Sequence, residues 1–181
     1  MTPRRISRDQ VLDVTWELAT RKGLSAVTMR AVAQELDVNP MTLYRHVGDK
    51  QGLLDGLVER LLLEIEVPGP GLDWREQLSA LAHSMRATAR RHPDLFLLLF
   101  QRPAVTPEAV GPRNAVYGAL RAAGLQEEGI PRAERLLSTF MLGFAASEAG
   151  GRFRDGDPDA DMAFAEDLIG RLLAEGWKTE G

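Results

Sequence analysis

Apolar positions along this chain recur every three or four residues, and each long stretch reads as helix. Ser7 is placed to cap a first helix whose Val11, Val14, Thr15, Leu18 and Ala19 face inward, with Gly23 as its stop. Trp16 either joins that face or packs against the next domain. Thr28 is placed to cap a second, short helix carrying Ala31, Val32 and Leu36. Asp37-Val38-Asn39 interrupts the pattern with turn-favouring residues around one apolar anchor. Asn39-Pro40 then restarts a helix, a cap followed by proline at the first helical position. Val47-Gly48 breaks the chain again, and Asp49 caps a long helix over 50–66 whose Leu53, Leu54, Leu57, Leu61 and Ile65 share one face.

Val67-Pro68-Gly69-Pro70-Gly71 is the clearest linker. Beyond it, Asp73 caps a helix to about residue 91, and Pro93-Asp94 starts a short apolar one. A helix over 108–123 ends at Gly124, with Pro112 marking its start or a kink. The stretch 131–150 is apolar on more than one face, and a last amphipathic helix covers about 159–175. No segment alternates with a strand's period. The pattern therefore predicts an all-α protein: an N-terminal three-helix domain at 1–48, then a connecting helix and a helical bundle at 49–181.

Two short helices joined by a tight turn form a helix-turn-helix unit, whose second helix enters the DNA major groove. Here that helix turns polar and aromatic, with Thr42, Tyr44, Arg45 and His46 crowding one turn where a core helix would be apolar. The same residues carry a family resemblance. Val38, Thr42-Leu43-Tyr44, His46-Val47, Lys50 and Leu53-Leu54 resemble the signature of TetR-type transcriptional regulators. The match extends upstream through Gly23-Leu24 and Thr28 to residues 7–22, about the first third of the chain; Val47 stands where many members carry phenylalanine. The resemblance implies that Thr28, Thr42, His46 and Lys50 hold phosphates, while Arg30, Pro40, Met41 and Tyr44 face bases. Arginine suits the paired acceptors of guanine, and Met41 or Pro40 suits a thymine methyl. Pro40-Met41 replaces a more polar pair seen in some members, and Tyr44 and His46 have a half-buried packing role as their alternative. Arg4, Arg5 and Arg8 form either a minor-groove arm or a solvated terminus.

Composition changes this picture only at the edges. The chain has 181 residues and a net charge of −4, an imbalance that by itself speaks against nucleic acid. Residues 1–60, however, hold nine Lys/Arg against eight Asp/Glu, so the acidic excess lies in the second part. Cysteine is absent, which removes disulfides and thiolate metal or redox sites and favours the cytoplasm. No run is long enough to cross a membrane; the most apolar, LFLLLF at 95–100, is far too short.

In the second part, Met85, Phe96, Phe100, Tyr117, Phe140, Met141 and Phe144 supply the surface of an apolar small-molecule pocket. His83, His92 and Gln101 are its candidate polar groups, and plain core packing is the alternative for each residue. The last two long helices resemble the pair that builds the TetR-type dimer interface, with Phe144, Leu168 and Leu172 as its candidates. Asp155, Asp157, Asp159, Asp161 and Glu166 imitate calcium-loop spacing, but Ala160 occupies the position that needs glycine, so an acidic turn capping the final helix is the better reading. No nucleophile elbow, phosphate loop or metal spacing of histidines appears, so neither enzyme nor cofactor is expected. The sequence thus reads as a homodimeric, ligand-responsive repressor that a largely apolar effector releases from a palindromic double-stranded operator. A helical small-molecule-binding or protein-interaction module without sequence-specific DNA binding is the alternative.

Overall fold

The structure is a computed structural model that describes residues 6–104 and 106–175. Helices α1 (Arg8–Lys22), α2 (Met29–Glu35), α3 (Pro40–Val47) and α4 (Lys50–Leu63) form the N-terminal part, and no strand occurs among the described residues. Each helix starts on a side-chain cap. Ser7 and Gln10 close a reciprocal capping box on α1, the Thr28 hydroxyl accepts from Ala31 N–H, and Asn39 accepts from Met41 N–H. The Asp49 carboxylate accepts from both Gln51 and Gly52 N–H at the start of α4.

The turn between α2 and α3 is a Schellman motif built without glycine. Asp37 sits at φ 54°, its N–H donates to the Gln34 carbonyl, and Val38 N–H reaches back to Ala33. Aspartate tolerates this left-handed conformation better than most side chains. Val38 then packs as the apolar anchor of the turn.

The first core is made of Val11, Leu18, Val27, Val32, Leu43, Leu53, Leu57 and Leu61, all essentially buried. Each such side chain contributes about 1.5–3 kcal/mol on burial. Two close approaches fix α4. A Cβ on Gly56 would lie 2.1 Å from the Leu12 side chain, and one on Gly52 would lie 1.7 Å from the Val47 carbonyl oxygen. Hence α1 crosses α4 at Gly56, and α4 leaves α3 at Gly52 with no room for any side chain.

Helices α5 (Trp74–Arg91), α6 (Pro93–Phe96), α7 (Gly111–Ala122), α8 (Ile130–Ala149) and α9 (Pro158–Ala174) form the second part. A 3₁₀ turn, Leu97–Phe100, extends α6, and its Leu98 joins Leu95 in completing the first core. Two smaller cores hold α5, α7, α8 and α9 together, around Leu120, Ile130 and Leu173 and around Ala89, Phe96 and Ala145. An ion network centred on a buried arginine ties α5 to α8 and α9: Arg86, 2% exposed, makes a bidentate pair with Glu148 and a third bond to the exposed Asp159.

Two helix limits differ from the sequence pattern. The helix predicted over 50–66 ends at Leu63 with Glu64 as its cap, although Ile65 remains buried. The helix predicted over 108–123 is α-helical only from Gly111, preceded by a 3₁₀ turn at Glu108–Val110. Pro112 accounts for this, because its ring would clash with the carbonyl four residues earlier in a continuous α-helix. Trp16 packs against the first core and also meets the His92 ring edge-on at 4.7 Å, joining α1 to the end of α5.

Candidate DNA-reading surface and apolar cavity

The α3 helix divides cleanly along its length. Leu43 is buried and Val47 half-buried, while Met41, Tyr44 and Arg45 on the opposite side are exposed, Met41 by 70% and Tyr44 by 48%. Pro40, Thr42 and His46 are half-buried at the edges of that face, and Thr28, Arg30 and Lys50 are exposed around it. The hydroxyl of Thr28 serves α2 as its cap and stays at the surface. All eight predicted contact residues thus belong to α2, α3 and the helix starts beside them.

Charge pairing sets this surface apart within the N-terminal part. Among its described residues, Arg30, Arg45 and Lys50 make no ion pair, while Arg8, Arg21, Lys22 and Arg60 all do. Leaving three cations exposed around one short helix gives a surface ready to neutralise phosphates. Arg45 is absent from the contact set expected from the resemblance; its exposed place beside Tyr44 is what identifies it. Arg4 and Arg5 lie outside the described residues. Arg8 departs from the arm expectation: it makes a bidentate pair with Glu59 of α4, and this hydrogen bonding holds the Glu59 carboxyl below its ordinary pKa.

In the second part, a cavity of ≈ 680 Å³ lies between α5, α7, α8 and α9. Leu78, Leu81, Val116, Leu137 and Ile169 give it apolar walls, with Met85, Met141 and Met162 adding thioethers and Trp74 and Phe140 aromatic rings. Of the pocket residues predicted from sequence, Met85, Phe140 and Met141 line it. The others do not. Phe96 is fully buried against Ala89 and Ala145, because Pro93 turns α6 inward; Phe100 is 51% exposed on the 3₁₀ turn. Tyr117 packs into the core around Leu120, and Phe144 stacks between Phe140 and Phe153 under the Arg86 guanidinium. Neither His92 nor Gln101 reaches the cavity either: His92 is held by Glu64, and Gln101 is exposed.

His83 is exposed outside the cavity, near Ser79 and Glu166. A hydroxyl, an imidazole and a carboxylate therefore meet, but not as a serine–histidine pair. The Ser79 hydroxyl donates to Glu166 at 3.0 Å, and His83 Nδ1 lies 2.9 Å from the Ser79 backbone carbonyl, its closest acceptor. With that nitrogen donating to the backbone, the group that faces the hydroxyl is the Glu166 carboxylate and not the imidazole.

Helices α8 and α9 also present an apolar face. Leu136 and Phe140 on α8 and Phe164, Leu168 and Leu172 on α9 are each 40–69% exposed. Of the residues expected at a dimer interface, Leu168 and Leu172 are exposed on this face, whereas Phe144 is half-buried within its own chain. The acidic turn before α9 is a cap: Asp157 accepts from Asp159 and Ala160 N–H, and Asp159 accepts from Arg86. No cluster of carboxylates, histidines or cysteines suited to a metal occurs among the described residues.

A helix-turn-helix head that exposes unpaired cations, carried by an all-helical body with an apolar cavity, defines a DNA-binding regulator class. Residues 11–57 match the bacterial regulatory proteins of the tetR family, and residues 67–180 match the tetracyclin repressor-like C-terminal domain. The chain belongs to the TetR family. It is 31% identical over 177 residues to the HTH-type transcriptional repressor DrrR1 of Streptomyces coeruleorubidus, covering 94% of this chain and 66% of that one. The crystal structure of the Streptomyces coelicolor TetR family protein ActR in complex with actinorhodin superposes with a TM-score of 0.84 at 26% identity, covering 96% of this chain and 99% of that one. The structure of BioQ with its natural double-stranded DNA operator gives 0.76 at 27% identity, covering 94% and 99%. No described helix is long and apolar enough to cross a membrane.

Proposed function

We propose that this chain is a transcriptional repressor that binds a palindromic DNA operator as a homodimer and leaves it when a small, largely apolar molecule enters the α5–α9 cavity. The observation that carries the reading is the exposed, unpaired set Arg30, Arg45 and Lys50 around a recognition helix whose inner face is buried. Residues 1–48 act as the reading head, and residues from 49 onward as connector, sensor and dimer interface. Arg30, Pro40, Met41 and Tyr44 face base edges, while Thr28, Thr42, His46 and Lys50 hold phosphates. The operator complex of BioQ and the actinorhodin complex of ActR support the two halves of this reading. The chain acts by binding rather than catalysis, and its place is the cytoplasm with the chromosome.

Dimerisation follows from the α8–α9 face. Phe164, Leu168 and Leu172 form a stripe at intervals of four, which water leaves unsatisfied and a second copy would cover. The test is selection of bound fragments from genomic DNA, followed by salt titration on the selected duplex. The reading requires a half-site repeat about one helical turn (~34 Å) apart and a steep fall of affinity with salt. Recovery of no preferred sequence, with salt-insensitive binding, would refute it.

A further inference from the structure

The cavity carries one half-buried charge, the Glu166 carboxylate. Ser79 and Ser138 both line the cavity, and both hydroxyls are committed to carboxylates, Ser79 to Glu166 at 3.0 Å and Ser138 to Glu134 at 2.9 Å. A carboxylate only accepts, so each serine must donate, and each leaves its oxygen as a further acceptor. Glu166 itself lines the cavity and is half-buried, whereas the other charged lining residues, Arg75, Glu76, Asp167 and Arg171, are exposed. The two arginines are exposed and have partners of their own. Arg75 donates to the Gly170 carbonyl and lies 4.2 Å over the Trp74 ring, and Arg171 pairs with Asp167. The methionine sulfurs accept weakly, and the faces of Trp74 and Phe140 are electron-rich.

A cavity with apolar walls whose one half-buried charged side chain is a carboxylate, flanked by serine acceptors, favours a cation over an anion. Resting on the cavity as the effector site, we propose that the effector is a largely apolar organic cation carrying a protonated amine, with Glu166 as its counter-ion. The ammonium meets the Glu166 carboxylate and the serine oxygens, while its apolar body fills the methionine-lined part. Charge-assisted hydrogen bonds to a half-buried carboxylate are stronger than neutral ones, and they separate ligands of equal size by charge.

The test uses the full chain and three probes on one skeleton: 3,3-diphenylpropylammonium, 3,3-diphenylpropan-1-ol and 3,3-diphenylpropanoate, titrated calorimetrically at neutral pH. The ammonium should bind on the order of tenfold or more tighter than the propanoate, the alcohol lying between. Glu166→Gln keeps an oxygen to accept from Ser79, and it should bring ammonium and alcohol to within about threefold. Melting temperature and oligomer mass verify that this variant is folded, and the wild-type order of the three probes decides the question without it. Propanoate binding as tightly as ammonium overturns the charge assignment and leaves the cavity as an effector site. A preference for ammonium that persists in folded Glu166→Gln overturns the role of Glu166. Binding of none of the three overturns both this inference and the cavity as effector site.

Discussion

Lys50 is the sharpest place to test the DNA-reading surface, because its structural roles are few. It is exposed at the first position of α4, makes no ion pair among the described residues, and leaves capping to Asp49. Its removal should therefore cost the fold little, and any loss of DNA affinity is a loss of charge at the phosphates. In a dimer, Lys50→Ala deletes two such contacts. Each neutralised phosphate contributes about 0.9 to the slope of log affinity against log salt, so the variant's slope should be shallower by about 1.8. Between 50 and 200 mM salt, this amounts to roughly a twelvefold smaller fall in affinity than wild type shows. The loss should be the same on cognate and scrambled duplexes, because phosphates carry no sequence. Fluorescence anisotropy at four or five salt concentrations measures it. Lys22→Ala is the control, since Lys22 is exposed but already faces Glu35 at 3.4 Å. Parallel salt slopes for wild type and Lys50→Ala would remove Lys50 from the interface.

Three further variants probe other parts of the molecule. Gly52→Ala puts a methyl within 1.7 Å of the Val47 backbone carbonyl, so α3 and α4 must separate; operator affinity should drop at least tenfold and thermal stability should fall, and a variant with unchanged affinity would show the junction to be pliable. Leu168→Glu with Leu172→Glu replaces two exposed leucines, so each subunit should fold while the dimer dissociates, and light scattering that still reports a dimer would move the interface elsewhere. Arg86→Met strips the 9%-exposed Glu148 of its bidentate partner and should cost on the order of 3 kcal/mol in denaturant melts, Arg90 remaining beside it. Hydrogen bonding from Arg86 holds the Glu148 carboxyl below its ordinary value of 4.5, so the stabilisation is full above that value and disappears as pH falls through the folded pKa. Stability of wild type should therefore decline below pH 4.5 more steeply than that of Arg86→Met, and equal acid profiles would show that the pair does not matter.

Local chemistry made the head legible in the sequence. Ser7, Thr28, Asn39-Pro40 and Asp49 each start a helix through contacts within three residues, and such contacts are written in adjacent positions. The same locality showed the polar, aromatic turn of α3 that carries Tyr44 at the surface. The cavity was less legible because it depends on α5 meeting α9 across long separations. Ser79 bonds Glu166 87 residues away, and Arg75 bonds Gly170 95 residues away. No periodicity records which helix will lie opposite. Aromatic content misled for a related reason: Phe96 and Phe100 are four residues apart, yet one is fully buried and the other half in water, because the helix tightens to 3₁₀ between them. Trp74, Ser79 and Ser138 gave no sign in isolation, since a tryptophan or serine at a helix position is ordinary anywhere in the body.

Occupancy of the cavity and release of DNA need not be the same event. Helix α5 lines the cavity through Leu81, Ala82 and Met85, and two turns later its end reaches the connector: Arg91 and His92 both bond Glu64, the residue that caps α4. The other end of α4 is gripped by Arg102, which bonds Asp55 and Gln51, one residue past Lys50. The connector is thus held at both ends by groups from the body, while its middle is buried in the core of the head through Leu53, Leu57 and Leu61. A movement of α5 has a short route to α4, and a small pivot of α4 changes the spacing of two recognition helices that must match half-sites about 34 Å apart. Yet a ligand shifts this equilibrium only by its difference in affinity between the DNA-competent arrangement and the incompetent one. One that fills the cavity equally well with His92 on Glu64 or away from it will bind and leave the DNA in place. On the proposed reading, affinity is set by the apolar walls and by Glu166, and efficacy by whether the filled cavity still allows α5 to hold Glu64.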